Sequence, residues 1–516
     1  MDEQIEKLID LYKDNEYMLK RLNYHITNIL PKTLENERHS WEQRQERNKY
    51  LTGEQQIFIQ IFLSNNDYYY LPGNATFYEY DKITYSVIKE DDVHHKLLSS
   101  ISKDRKLLEW KHKTKFLLLK QIKERNLFQS IPEPGTIQHV INTLTPSLFP
   151  DKNNAKYFLT ILGDNILKKM SDKKMADLTF LVKPKMKPLL QELDHLSATF
   201  NITNIGANIM IKYHESYQYQ NCRLLKINNA DPNIFTNLGI NLFCIAAYYS
   251  YRYTNSDNYL TQVASEEQRD YSLFLKNNTQ QTIITSFCQF ALEPVVDVGE
   301  IYKSKVCISW KKMHYIWKLY ISKNSLPFMF YSNTLKILLK ERLDNYDEVT
   351  DTFYGVTSKY LPCVQKFLLF WDETIQVTTI FGFDVDELAE VFNKWSRSED
   401  DVKVEHISES DVIKIITHFY PATIIENGKT ILNMICSLWD KNADIILALK
   451  LLQETNKLAL ILIDDAYKYY LKFCRKNKSI HVVNKQYFEK YILHELKDFI
   501  EFDKFISASK WTSLLA

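Results

Sequence analysis

Ten Lys and Arg side chains fall between Lys96 and Arg125, against three acids, for a local charge of +7. Cations at that density suit a polyanion, because each ammonium that neutralises a phosphate releases a condensed counterion. Projected at 100° per residue, Arg105, Lys106, Lys113, Lys120 and Lys123 share an arc of about 100°. Leu107, Leu108, Leu118, Leu119 and Ile122 take an arc of about 120° on the opposing side. Lys111 and Lys115 fall among the apolar positions. The spacing predicts one helix, running from Val93 to Asn126, that docks on a core and presents a cationic stripe. The same stripe also suits an acidic protein surface, or the chain's own stretch 384–411, which holds ten acids against three bases.

A second basic cluster lies near the C-terminus. Residues 464–497 carry eight bases and four acids. Asp464 to Lys476 reads as a helix, Asn477-Lys478-Ser479 as a turn, and Asn484 as the cap of a second helix from Lys485 to Leu496. Arg475, Lys476, Lys478, Lys485 and Gln486 gather at the turn and the second helix's start. A helix-turn-helix puts those N-terminal residues against phosphates and base edges. Bases there run against the helix dipole, which prefers acids, so a phosphate partner would relieve the mismatch.

Other chemistry is poorly supplied. Gly428-Lys429-Thr430 has the end of a phosphate-binding loop, but position 423, where the motif needs its first Gly, is Thr. Asn427-Gly428 between two β-prone runs reads instead as a hairpin turn. Only 10 of 516 residues are Gly, leaving little material for any phosphate cradle. Asp91 and His95 are four apart in Glu90-Asp91-Asp92-Val93-His94-His95, yet acids there also fit an ordinary helix start. His214 with Glu215, and Asp384, Asp386 and Glu387, lack further ligands at a metal-binding spacing. The seven cysteines stand at least 19 apart with no Cys-x-x-Cys, which suits a reducing compartment. No catalytic residue, cofactor or metal is expected, and the reading is of a protein that is not an enzyme.

The elements that must position the basic clusters follow from patterning. At 45% hydrophobic and 25% charged residues the chain can bury a large core, and at 516 residues it suits several domains. The expected divisions are 1–95, N-terminal helices and a β-hairpin; 96–175, the basic helix and two short helices around Pro146 and Pro150 with a helix-turn-helix look; 176–305, a mixed α+β domain; 306–395, a helical domain with Trp310, Trp317, Trp371 and Trp395 in its core; and 396–516, a C-terminal module. Stretch 384–411 reads as a boundary loop, with Ser408 capping a helix to Phe419 and Asp411 completing a capping box. The fold class is α+β, predominantly helical and multi-domain. Net charge is +1, no run of 18 uncharged apolar residues exists, and Met1-Asp2-Glu3-Gln4 opens no apolar signal core, so neither a membrane partner nor secretion is expected.

The stretch Asp465-Ala466-Tyr467 through Phe473-Cys474, followed by Lys485-Gln486-Tyr487-Phe488, resembles the winged-helix tail of poxvirus-type viral superfamily-3 helicase-primases, over about 60 residues and without the motor domain. Three further stretches are similar to uncharacterised proteins of mimivirus-like giant DNA viruses: Ile131-Pro132-Glu133 to Phe149, Lys212-Tyr213-His214 to Leu225, and Gly355 to Trp371. The scarcity of Gly, with 33 Tyr and 28 Phe, fits an AT-rich genome. The resemblance implies a C-terminal winged-helix-like module and a setting in the host cytoplasm, at a viral factory, or in the virion. Together with the basic clusters it yields the expected function: a non-catalytic nucleic-acid-binding protein of viral replication or transcription, DNA favoured over RNA, with other viral replication or transcription proteins as further partners. The alternatives are a helical interaction scaffold whose basic face meets an acidic partner, and an inactive or cryptic relative of helicase-primases or nucleases.

Overall fold

The computed structural model describes residues 2–168, 178–203, 205–214, 216–228, 233–295, 306–399, 406–455, 460–477, 481–502 and 504–507. Helices dominate, joined by several small sheets, as an α+β chain should be. The chain forms two compact units, Met1–Thr279 with Ser325–Phe330, and Gln280–Asn324 with Tyr331–Ala516.

Unit one opens with α1 (Asp2–Tyr12), α2 (Glu16–Tyr24) and α3 (Leu30–Asn65). A π turn, His25–Ile29, joins α2 to α3 just before Pro31, whose ring nitrogen has no hydrogen to donate. Three antiparallel strands follow, β1 (Asp67–Leu71), β2 (Thr76–Tyr80) and β3 (Tyr85–Ile88), one more than the expected hairpin. The Asp81 carboxylate accepts from the amides of Ile83 and Thr84 and shapes the β2–β3 turn. Next come α4 (Glu90–Asp104) and α5 (Lys111–Glu124). The end of α3, the sheet, α4 and α5 share one apolar cluster that includes Leu63, Tyr68, Leu97, Leu118 and Ile122.

The second core of this unit is built on α6 (Pro134–Leu144), α7 (Lys152–Ile166) and α8 (Ile240–Tyr253). Helix α7 is buried along almost its whole length, so the pair α6–α7 is spent on packing and offers no groove-reading helix. Gly163 explains the close crossing of α7 and α8: a Cβ there would lie 2.1 Å from the Ala246 carbonyl oxygen. Beside it, the buried Asp164 carboxylate accepts from Ser250 Oγ at 2.6 Å and from the Ser256 amide at 2.7 Å. This core draws on Leu71, Val140, Phe180 and Phe243, so it joins three of the segments expected as separate domains.

Unit two centres on α9 (Trp310–Lys323), α10 (Leu361–Thr374), β4 (Ile375–Asp384), α11 (Val385–Glu399) and α12 (Glu409–Phe419). Trp317 and Trp371 are buried; Trp310 and Trp395 are half-buried. The expected boundary loop at 384–411 is largely helix. Acids open α11 at Asp386 and Glu387, while Leu388, Val391 and Phe392 face the core, so an amphipathic pattern underlay the acidic composition. Ser408 caps α12 as expected: its hydroxyl accepts from the Asp411 amide at 3.2 Å and donates to the Asp411 carboxylate at 2.7 Å. Strands β5 (Ile425–Glu426) and β6 (Thr430–Cys436) form a hairpin on β4, in the order β4-β6-β5.

The chain then runs through α13 (Lys441–Thr455), β7 (Leu460–Leu462), α14 (Ile463–Lys476), α15 (Lys485–Glu495), β8 (Ile500–Glu501) and β9 (Phe505–Ser507). Strand β9 lies between β7 and β8, antiparallel to both.

Candidate nucleic-acid interface

The C-terminal helix α15 is seated by its own sequence. Asn484 caps it, its side-chain oxygen accepting from the Tyr487 amide at 2.8 Å. Phe488, Tyr491 and Ile492, spaced for one face, are buried. Phe488 packs at ring-centroid distances of 5.2 Å from Tyr467 and 5.5 Å from Tyr470 on α14. The segment between the two helices is pinned as well: the Val483 amide donates to the Tyr470 hydroxyl at 3.0 Å, and the Tyr467 hydroxyl donates to the Val483 carbonyl at 3.2 Å. What α15 leaves to solvent is Lys485, Gln486, Lys490, Leu493, His494 and Glu495.

The start of α15 also meets β4 and α13. The Asn484 amide nitrogen donates to the Asp384 carboxylate at 2.5 Å, and the Tyr487 hydroxyl donates to Asn442 at 2.9 Å. Beneath lies a buried ion pair, Lys441 with Glu387. The Lys441 ammonium stands 3.8 Å over the Phe383 ring, 4.5 Å from Tyr487 and 5.1 Å from Trp439. Burial pushes the Glu387 carboxyl up and the Lys441 ammonium down, while each charge draws the other back. Gln486 and Lys490 line a cleft of about 80 Å³ with Asp384 and Glu426.

The expected cations of this region part company. Lys485 is held within the protein, 2.6 Å from Asp464 and 3.5 Å from Glu489. Its hydrogen bond to Asp464 raises the Lys485 ammonium and lowers the Asp464 carboxyl. Arg475 and Lys476 are exposed and make no ion pair among the described residues. Gln486 is exposed at the first turn of α15. Lys478 lies outside the described residues. Lys490 escaped the sequence reading, although it stands one turn past Gln486 and helical spacing alone would have found it. So did Phe502, which is 82% exposed between β8 and β9; no local pattern marks a single aromatic in a turn as exposed.

In unit one the expected single basic helix is two. Arg105 ends α4 in the left-handed region at φ 60°, and a 3₁₀ turn, Leu108–Trp110, precedes α5. The break leaves Arg105 and Lys106 outside the helix that holds Lys113, Lys120 and Lys123. Leu107 is buried in the break, and Leu108 is 47% exposed rather than part of the apolar arc. Lys106 reaches Glu54 at 3.1 Å, while Arg105 is exposed.

Helix α5 keeps the rest of the stripe. Thr114, Leu118 and Ile122, four apart, are its buried seam, and Thr114 accepts from Gln55 at 2.8 Å. Lys113, Phe116, Lys120 and Lys123 are exposed at steps of 3, 4 and 3 residues, on one face. The Lys113 ammonium sits 3.6 Å over the Trp110 ring, and Lys123 lies 5.8 Å from the Tyr70 ring. Phe116 is 70% exposed in the middle of the row. None of the three lysines has an ion pair among the described residues. A stacking ring between cations is the arrangement with which single-stranded nucleic acid is held.

The weaker chemical candidates resolve into structure. Asn427 and Gly428, at φ 51° and 66°, make the hairpin turn between β5 and β6, and the Lys429 amide donates to the Glu426 carbonyl at 3.0 Å. Glu90, Asp91 and Asp92 form the first turn of α4, with His94, not His95, 3.4 Å from Glu90. Among the described residues no group of three or more His, Cys, Asp or Glu is placed to hold a metal. No described helix is long and apolar enough to cross a membrane. No family model, curated protein or solved structure matches the chain.

Proposed function

We propose that the chain is a non-catalytic nucleic-acid-binding protein of a large DNA virus, acting in replication or transcription, and that residues 441–507 are a winged-helix module with α15 as the helix that approaches DNA. The observation that carries this reading is the order of elements. Helix, strand, two helices and a hairpin follow one another, with the last strand between the other two. In that arrangement α15 keeps an outward face, and the β8–β9 turn stands as the wing. Gln486 and Lys490 on its first two turns, with Arg475 and Lys476 at the end of α14, then supply contacts to phosphates and base edges. The resemblance of 465–474 and 485–488 to the helicase-primase tail supports the same assignment. The row Lys113, Phe116, Lys120 and Lys123 is proposed as a separate contact surface in unit one, with a preference for single strands.

The test is titration of the full chain with a duplex and a single-stranded oligonucleotide at about 50 mM salt, where phosphate contacts count most. The variant Arg475→Glu/Lys476→Glu/Lys490→Glu is expected to lose at least about tenfold in duplex affinity and to show a shallower salt dependence. Duplex binding that is absent, or unchanged in the variant, overturns the winged-helix assignment. Binding to an acidic protein with the same loss in the variant points to the scaffold reading.

A further inference from the structure

The first 50 residues stand apart from every core in unit one. From Asp2 to Tyr50 no described residue is buried, and from Pro31 to Tyr50 each one is exposed. Helix α3 buries its first side chain at Leu51. Yet the arm is far from polar. Its exposed apolar side chains include Leu8, Leu11, Tyr17, Ile29, Leu34 and Trp41, at 39% to 69% exposure. A helix that buries nothing is marginal in water, because packing of an apolar face supplies most of its stability.

The apolar positions are also ordered. Ile5, Leu8 and Tyr12 on α1, and Leu19, Leu22, Ile26 and Ile29 along α2 and the π turn, recur at steps of three and four. That is the spacing with which helices pack on other helices along a seam. Helices α1 and α2 touch one another across the turn at Asn15, but half-bury only Ile5, Tyr12, Met18, Leu19, Leu22 and Ile26. Two helices in contact cover one side of each seam and leave the other bare.

We infer that this arm is a homo-oligomerisation element, and that a second copy of the same arm covers it in an intermolecular helical bundle. Charge favours a copy over a partner of one sign. Residues 2–50 hold ten acids and nine bases, interspersed. Glu3–Lys7, Glu16–Lys20 and Glu35–Arg38 already pair along the surface, so two arms meet without net repulsion. The area is adequate. Residues 16–50 as helix span about 50 Å, and a face roughly 10 Å wide along them, with α1 added, comes near the ~800 Å² per partner of a standard interface.

The experiment is light scattering after size exclusion on the full chain at about 10 µM, beside the variant Leu8→Asp/Leu22→Asp/Ile29→Asp. The wild-type mass is expected at twice 61.2 kDa and the variant at 61.2 kDa. The variant's thermal unfolding of the three cores should be unchanged, since the three residues belong to none of them. In the wild type, amide protection over residues 5–30 should rise with protein concentration. A monomeric wild type, a variant that stays dimeric, or protection independent of concentration each overturns the inference.

Discussion

The two basic surfaces differ in what happens to their charge on folding. In the C-terminal module Lys485, at the very position where a reading helix would place a phosphate contact, closes on Asp464 and Glu489. Arg475 and Lys476 on α14 and Lys490 on α15 are exposed and have no ion pair among the described residues, and they come from two helices. On α5 the three lysines of one helix face stay unpaired among the described residues, and aromatic rings rather than carboxylates lie beside them. A count of Lys and Arg therefore measures potential, not available charge. Availability depends on where distant acids arrive, as Glu54 does at Lys106 across 52 residues.

The surfaces differ in support too. Helix α5 rests on one apolar seam, whereas α15 is held by a cap, an aromatic wedge and the Lys441–Glu387 pair beneath Tyr487. The sharpest way to break the C-terminal surface alone is Lys441→Met. It leaves Glu387 buried without its partner and should cost unit two about 3–5 kcal/mol in chemical denaturation. Adding Glu387→Met should restore most of that loss, because an apolar pair of similar volume avoids the burial of both charges. The directions in which burial moves the two groups agree: each is held in the charge state it prefers less than in water. A double variant as unstable as the single would show that the pair contributes more than it costs.

The α5 surface is tested by Lys113→Glu/Lys120→Glu/Lys123→Glu. These side chains are exposed, so the fold should hold while single-strand affinity falls similarly for all sequences. The slope of log affinity against log salt should shrink by about 0.7 per lost contact on single strands. Unchanged affinity at about 0.1 M salt would leave the module as the single proposed nucleic-acid surface. The smallest effect expected is that of Asn484→Ala, which removes the α15 cap at a cost of about 1 kcal/mol. Duplex binding should weaken with it if α15 is the reading helix, and a stability loss without any change in binding would separate the two roles.

Much of the C-terminal region was legible before the fold was known. Asn484, the helix from Lys485, the helix ending at Lys476 and the Asn427-Gly428 turn all rest on contacts between residues two to four apart, which a sequence displays directly. Stretch 93–126 misled for the opposite reason. Nothing local marks Arg105 as a helix end: it has no Gly, no Pro and no cap signature, and Leu107 turns inward to a core that includes residues from Leu51 to Ile122. Stretch 384–411 misled through composition, because acids on one face hid Leu388, Val391 and Phe392 on the other.

Local interactions therefore settled the hairpins, the caps and the helical character of the chain. They also settled which segments are basic, since charge is a property of composition. The tertiary structure decided which cations remain available, which helices are consumed by packing, as α7 is against α8 through Gly163, and how β7, β8 and β9 order themselves into one sheet. Each of these depends on pairs far apart in the chain, Lys485 with Asp464 or Gly163 with Ala246, whose meeting follows from the burial of apolar surface by the whole unit rather than from any one segment.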